Sequence, residues 1–288
     1  MSGVSIVIVA AGRGSRMGQG DKLFMEVAGL PLVGHTWRRI DRFAGTAEIV
    51  IVTRGESRSL FENLAKGIAA AKPWCIVVGG AERQDSVWNG VNATDKASAV
   101  VAIQDGARPC TPLGSLGQAI DAAREMGAAG LAKRVSDTLK RGDGQAQILG
   151  TVDRENLWAV QTPQVFRREV ILAALAKVRD EGLAITDDTA ACEALGQAVK
   201  LIERMGEHCV GPGLGDVGFR VAQGVMRSVR FGVRPKKTRV TGGRSGANLR
   251  GSAATRRRRV SRSPSPEEFE AAWQSDRPGS RQTCPRSK

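Results

Sequence analysis

Histidine and cysteine, which so often carry nucleophilic, acid–base or metal chemistry, are scarce or scattered in this chain of 288 residues. The histidines are His35 and His208 alone. His35 falls in a helical pattern, where a packed or capping role is expected. The five cysteines, Cys75, Cys110, Cys192, Cys209 and Cys284, lie far apart and form no C-x-x-C pair, so no zinc site is indicated. Long apolar runs are missing too. Residues 4–11 are too short for a membrane span or a signal core, and no positively charged leader precedes them. A cytoplasmic protein with no membrane partner is the expectation. Neither common phosphate loop is present. A P-loop has Lys directly after its last glycine, whereas Lys22 follows Asp21. The dinucleotide fingerprint needs glycine where Met17 stands.

The net charge of +14 would suggest a nucleic-acid binder if it were spread evenly. It is not. Residues 1–208 carry 25 Lys and Arg against 24 Asp and Glu, while residues 209–288 carry 18 against 5. Two domains are expected: a near-neutral globular unit over 1–208, and a basic low-complexity tail over 209–288. The tail holds Arg256-Arg257-Arg258-Arg259 and few aliphatic runs, a composition that predicts disorder. An aberrant, out-of-frame origin is a further expectation for it. Its few aromatics, Phe219, Phe231, Phe269 and Trp273, give little for base stacking, so physiological nucleic-acid binding is not expected.

Within the first 208 residues short Val/Ile runs alternate with helical patterns. Strands are expected at 5–10, 49–53, 76–78, 100–104, 130–133 and 199–202, and helices at 32–42, 57–71, 85–92, 113–126, 167–180 and 186–195. Such alternation implies an α/β fold with a parallel sheet covered on both faces. Between 136 and 160 the rhythm changes to a β-hairpin around Arg141-Gly142-Asp143-Gly144, an arm able to reach a second subunit. Ligands of parallel sheets bind beyond the carboxyl ends of the strands. Three motifs fall there.

The first is Ala10-Ala11-Gly12-Arg13-Gly14-Ser15-Arg16-Met17-Gly18 with Lys22, where glycines let backbone approach a ligand and cations suit a polyphosphate. A solvated basic loop is its plain alternative. In the second, Gly79-Gly80-Ala81-Glu82-Arg83-Gln84-Asp85-Ser86, Gly-Gly could admit a flat base or ribose, and Asp85 or Ser86 could cap the next helix. The third, Asp105-Gly106-Ala107-Arg108-Pro109, offers a carboxylate for Mg²⁺ and an arginine for a second anion, against the alternative of an Asp–Arg ion pair in a turn. Thr186-Asp187-Asp188-Thr189 reads as helix capping rather than a metal pair.

In this order and spacing, these motifs, together with Asp137-Thr138, Val152-Asp153-Arg154 and Gln161-Thr162-Pro163-Gln164, closely resemble the 2-C-methyl-D-erythritol 4-phosphate cytidylyltransferases over roughly residues 4–204. The resemblance implies a Rossmann-like nucleotidyltransferase fold, mostly parallel, with a projecting hairpin arm over 136–160 that joins a homodimer. It implies CTP and a sugar-alcohol phosphate as partners and Mg²⁺ as cofactor. Arg16 and Lys22 would be catalytic, stabilising the α-phosphate. Ala10, Ala11, Gly12, Gly14, Gly80, Ser86 and Asp105 would contact the nucleotide, with Asp105 also holding Mg²⁺. Asp105, Arg108, Thr138, Arg154, Thr162 and Thr186 would form the sugar-phosphate pocket, Arg154 reaching in from the partner's arm. Many relatives carry Asp where this chain has Ala81. The related ribitol 5-phosphate cytidylyltransferases, and an inactive relative with a nucleic-acid-binding tail, are the alternatives.

The resemblance stops short of the family's closing Asn-x-Lys-(Val/Ile)-Thr segment. Here Arg204-Met205-Gly206-Glu207-His208-Cys209 follows the last strand. A family lysine near the reacting phosphates is therefore missing, and one preorganised charge donor commonly contributes about 10²–10³ in rate.

Overall fold

The computed structural model describes residues 3–12 and 21–204. Arg16 and Gly14, and the tail expected over 209–288, lie outside the described residues.

Four Val/Ile-rich strands form one wholly parallel side of the sheet: β1 (Val4–Val9), β4 (Thr46–Thr53), β5 (Trp74–Val78) and β6 (Val100–Asp105). Two short strands, β2 (Glu26–Val27) and β3 (Leu30–Pro31), form a separate hairpin across Ala28 and Gly29, both at positive φ. The other half of the sheet holds β7 (Ala128–Arg134), β10 (Trp158–Arg167) and β11 (Lys200–Glu203). Strand order is β11-β7-β10-β6-β1-β4-β5.

The fold is thus α/β and mostly parallel, as expected, and one strand the sequence did not reveal, β10, runs antiparallel to both its neighbours, β6 and β7. Its sequence hid it. Gln161, Thr162 and Gln164 are polar, and Pro163 has no N–H to give a ladder. The ladder accommodates the proline by a register shift between Gln161 and Gln164, where the Thr162–Pro163 peptide is cis.

Alternate side chains of each strand enter opposite cores. Ile6 and Ile8 pack with Trp37, Ile40, Phe61 and Leu116 on one face. Those come from α1 (Leu32–Asp41), α2 (Arg58–Ile68) and α4 (Leu113–Met126). Val7, Val50 and Val52 pack with Val87, Ile171 and Cys192 on the other. These come from α3 (Arg83–Asn92), α5 (Arg168–Asp180) and α6 (Asp188–Leu195). Burial on both faces explains why the strands read as unbroken apolar runs.

His35 is structural, as its pattern implied: buried on α1, it donates from Nε2 to the Val27 carbonyl at 2.6 Å. The arm is a two-stranded ribbon, β8 (Leu139–Gly142) with β9 (Ile148–Val152), apart from the main sheet. Asp143 closes its turn by accepting from the Gln145 and Gln147 N–H groups. Ile148 and Leu149 are about two-thirds exposed, at 68% and 64%. No helix among the described residues is long and apolar enough to cross a membrane.

Candidate active site

A cleft of about 780 Å³ opens at the carboxyl ends of β1, β4, β5 and β6. Its walls include Ala10, Ala11, Gly12 and Lys22 from the first loop, Gly80 and Ser86 from the second, and Asp105 and Arg108 from the third. Strands that are far apart in sequence end at one level because β1 pairs in parallel with both β4 and β6, Val9 lying opposite Val52 and Asp105.

Lys22 opens a 3-10 turn (Lys22–Phe24) that the Asp21 carboxylate caps by accepting from Leu23 N–H at 3.0 Å. Asp21 is itself held by the Arg54 guanidinium at the end of β4. Partial burial lowers the Lys22 pKa, and the Arg108 charge lowers it further.

The Gly79-Gly80 segment is packed too tightly for side chains. A Cβ on Gly79 would sit 2.5 Å from Ala11 Cβ, and one on Gly80 would sit 2.1 Å from Asp85 Cβ. Buried Ser86 bridges this edge: its Oγ accepts from Gly80 N–H and donates to the Glu82 carbonyl, both at 3.1 Å. The helix starts at Arg83 with Glu82 as its N-cap, so neither Asp85 nor Ser86 is the cap itself; Asp85, at the third helical position, completes a capping box by accepting from Glu82 N–H at 3.2 Å.

Asp105 is the charge centre of the cleft. Arg108 Nε lies 2.9 Å from one carboxylate oxygen, so the turn ion pair is present. Arg83 Nη2 lies 3.4 Å from the other oxygen. Behind it, Asp105 N–H donates to Thr162 Oγ1 at 3.1 Å, and buried Gln104 holds the following turn by donating to the Asp105 and Arg108 carbonyls. Thr162 therefore supports the site from the β10 bulge and does not line the cleft. Nor do Thr138, Arg154 and Thr186. Thr138 and Arg154 are exposed near the base of the arm, where Arg154 donates to the Ser136 carbonyl. Thr186 is exposed just before α6. The helix starts two residues later than expected, because Asp187 is its N-cap and accepts from Ala190 N–H at 2.9 Å.

Sequence reasoning missed the roles of Arg83, Asp188 and Gln164. Asp188 is fully buried and takes both Arg83 Nη atoms at 2.9 Å. Burial opposes the Arg83 charge, but Asp188 and Asp105 override it and raise its pKa. Complete burial pushes the Asp188 carboxyl up, with the guanidinium opposing. Gln164 Oε1 accepts from Asp188 N–H at 3.0 Å and Thr189 N–H at 3.2 Å, and its Nε2 donates to Asp187. The only sequence signal was the recurrence of these positions inside the quoted motifs. Arg204 also carries charge toward the site: it donates to the Cys110 carbonyl at 2.9 Å, and burial and then the charges of Arg108 and Arg39 lower its pKa.

The donor set bears on which metal could be held. Among the described residues no group of three or more His, Cys, Asp or Glu side chains could form a metal cage. A single strand-end carboxylate suits a hard cation that takes one or two carboxylates and completes its shell with phosphate oxygens.

The model of the 2-C-methyl-D-erythritol 4-phosphate cytidylyltransferase family (IspD) matches residues 4–208. The chain belongs to this family. It is 40% identical over 204 residues to the 2-C-methyl-D-erythritol 4-phosphate cytidylyltransferase of Pelotomaculum thermopropionicum, covering 70% of this chain and 86% of that one. Identity to the enzyme of the same name from Caldanaerobacter subterraneus is 43% over 202 residues, covering 69% and 89%. The solved structure of the Thermus thermophilus enzyme matches with a TM-score of 0.62 at 30% identity, over 78% of this chain and 99% of that chain. The IspD family is one of nucleotidyltransferases that use CTP and a sugar phosphate and depend on a metal ion.

Proposed function

We infer that this chain transfers cytidylate from CTP to 2-C-methyl-D-erythritol 4-phosphate, yielding 4-diphosphocytidyl-2-C-methyl-D-erythritol and pyrophosphate. The observation that carries this reading is one cleft that gathers Lys22 with the Asp105 carboxylate and its two arginines, Arg83 and Arg108, beside a side-chain-free Gly79-Gly80 edge. A phosphate oxygen of the sugar substrate attacks the α-phosphorus of CTP. The new O–P bond forms as the α–β bridge breaks, and pyrophosphate leaves with the electron pair. The nucleophile is already anionic, so no general base is needed, in keeping with the shortage of histidine. Positioning and charge neutralisation do the work.

In this reading Lys22, with Arg16, draws charge from the α-phosphate. Ala10, Ala11, Gly12, Gly14, Gly80 and Ser86 accept the nucleotide through backbone and hydroxyl contacts. Asp105 would hold Mg²⁺, which supplies charge neutralisation at the phosphates. Arg108 binds the sugar phosphate, and Thr162 keeps Asp105 in place. Thr138, Thr186 and Arg154 complete the pocket in a homodimer, Arg154 being delivered by the partner's arm. The exposed Ile148 and Leu149 suit such an embrace. The catalytic domain is residues 1–208, acting in the cytoplasm without membrane or nucleic acid.

The test is CTP-dependent pyrophosphate release by the full-length protein with Mg²⁺, run side by side with methylerythritol phosphate and ribitol 5-phosphate. Release confined to methylerythritol phosphate is expected. Release with ribitol 5-phosphate alone, or with neither, refutes the assignment.

A further inference from the structure

The guanidinium of Arg83 stands between two carboxylates and is shared unequally. Its two Nη atoms each lie 2.9 Å from an Asp188 oxygen, a bidentate pair, while Nη2 is 3.4 Å from Asp105. The two acids differ in setting. Asp188 has no exposed surface and is fixed through its backbone N–H to Gln164, whereas Asp105 lines the cleft. With both Nη atoms matched to Asp188, the fork spares Asp105 only one contact, at the longer distance of 3.4 Å. Arg83 lies within reach of Asp105 and would close on it if Asp188 let go. A carboxylate fully paired with two arginines is a poor ligand for a cation.

We propose that Asp188 is a positioning residue for the nucleotide–metal site: it keeps Arg83 to a single long contact with Asp105, weak enough for a divalent cation to displace. This rests on the cytidylyltransferase reading of the cleft. Asp188 touches neither substrate nor metal and acts only through Arg83. The α6 N-terminus thereby sets the metal affinity of a strand end on the far side of β10.

The probe is Mn²⁺ binding in the presence of CTP, followed by the loss of the free-ion electron paramagnetic resonance signal, with no sugar phosphate and hence no turnover. Asp188→Asn keeps shape and removes the restraint, and Mn²⁺ affinity is expected to fall about tenfold as Arg83 moves onto Asp105. Arg83→Gln removes the competitor and is expected to tighten Mn²⁺ binding about two- to threefold, Asp188 taking a proton in its place. The double variant is expected to match Arg83→Gln. A purely structural pair gives no such reversal: both single variants would weaken binding and the double would be no better. Unchanged Mn²⁺ affinity in a folded Asp188→Asn protein overturns the proposal. If that variant does not fold, Arg83→Gln decides, since weaker binding there is equally fatal. Failure of the parent protein to bind CTP with Mn²⁺ rejects the cytidylyltransferase reading as well. Parent binding with the variants in any other order rejects this inference alone.

Discussion

Replacing Gly90 by alanine tests whether the seating of α3 on the sheet governs the cleft. Gly90 lies in the third turn of that helix, over β1 and β4. A Cβ there would lie 2.5 Å from Val7 Cγ1 and 2.6 Å from Val52 Cγ2, both on fully buried valines. Carbon atoms rest about 3.5–4.0 Å apart, so the helix must lift by about 1 Å. Overpacking of this kind costs about 1–3 kcal/mol, and alanine returns about 1 kcal/mol in helix propensity. Because neither β-branched valine can rotate away, the upper part of the range applies and a net loss of about 2 kcal/mol is expected. The lifted helix carries Arg83 and Ser86 at its start, and a 1 Å misplacement in a catalytic site can cost about 10²-fold in kcat/KM. Urea unfolding reads the first effect as a lower midpoint at constant slope, and pyrophosphate release reads the second. Gly117→Ala in α4, where a Cβ meets nothing within 4 Å, is the control and should gain up to about 1 kcal/mol with full activity. A Gly90→Ala protein as stable and active as that control would refute the reasoning.

Lys22→Ala should lower pyrophosphate release by about 10²–10³ with the thermal midpoint unchanged, and retained turnover would remove Lys22 from its assigned role. Because burial lowers its pKa from 10.5, the free enzyme loses this charge as pH rises through a value below the ordinary lysine range; kcat/KM should fall there. The proposed arm-to-arm homodimer predicts that the parent sediments as a dimer and the double substitution of Ile148 and Leu149 by Asp as a monomer, with the circular dichroism spectrum unaltered. Burial, aided by Asp188, Asp187 and Glu193, pushes the Cys192 thiol up to about 12, so native protein should leave Cys192 unalkylated at pH 8 and urea should expose it.

Much of the architecture was legible because burial on both sheet faces writes itself into sequence as Val/Ile runs. Helix α4 matches the expectation at both ends, and strands β1, β4, β5 and β6 are displaced by a few residues at most. The three loops that meet in the cleft were readable for the same reason: each follows such a run, and parallel strands end together. Strand β10 was not readable. Its proline and polar residues deny the period-2 pattern, and it forms only because β6 and β7 offer ladders on both sides.

By itself, then, the amino-acid order determined the strand–helix alternation, the glycine-lined strand ends, the family membership and the split between a near-neutral unit and a basic remainder. These are local properties or ordered motifs, and each lies within a few residues of its cause. Tertiary structure alone decided that Arg83 on α3 would face Asp188 on α6, 105 positions away, and that Thr162 would sit behind Asp105. An ion pair of that kind carries no periodicity and no spacing rule. It exists because two helices pack on one face of a sheet and bury one of the charges there, where only its partner can compensate it.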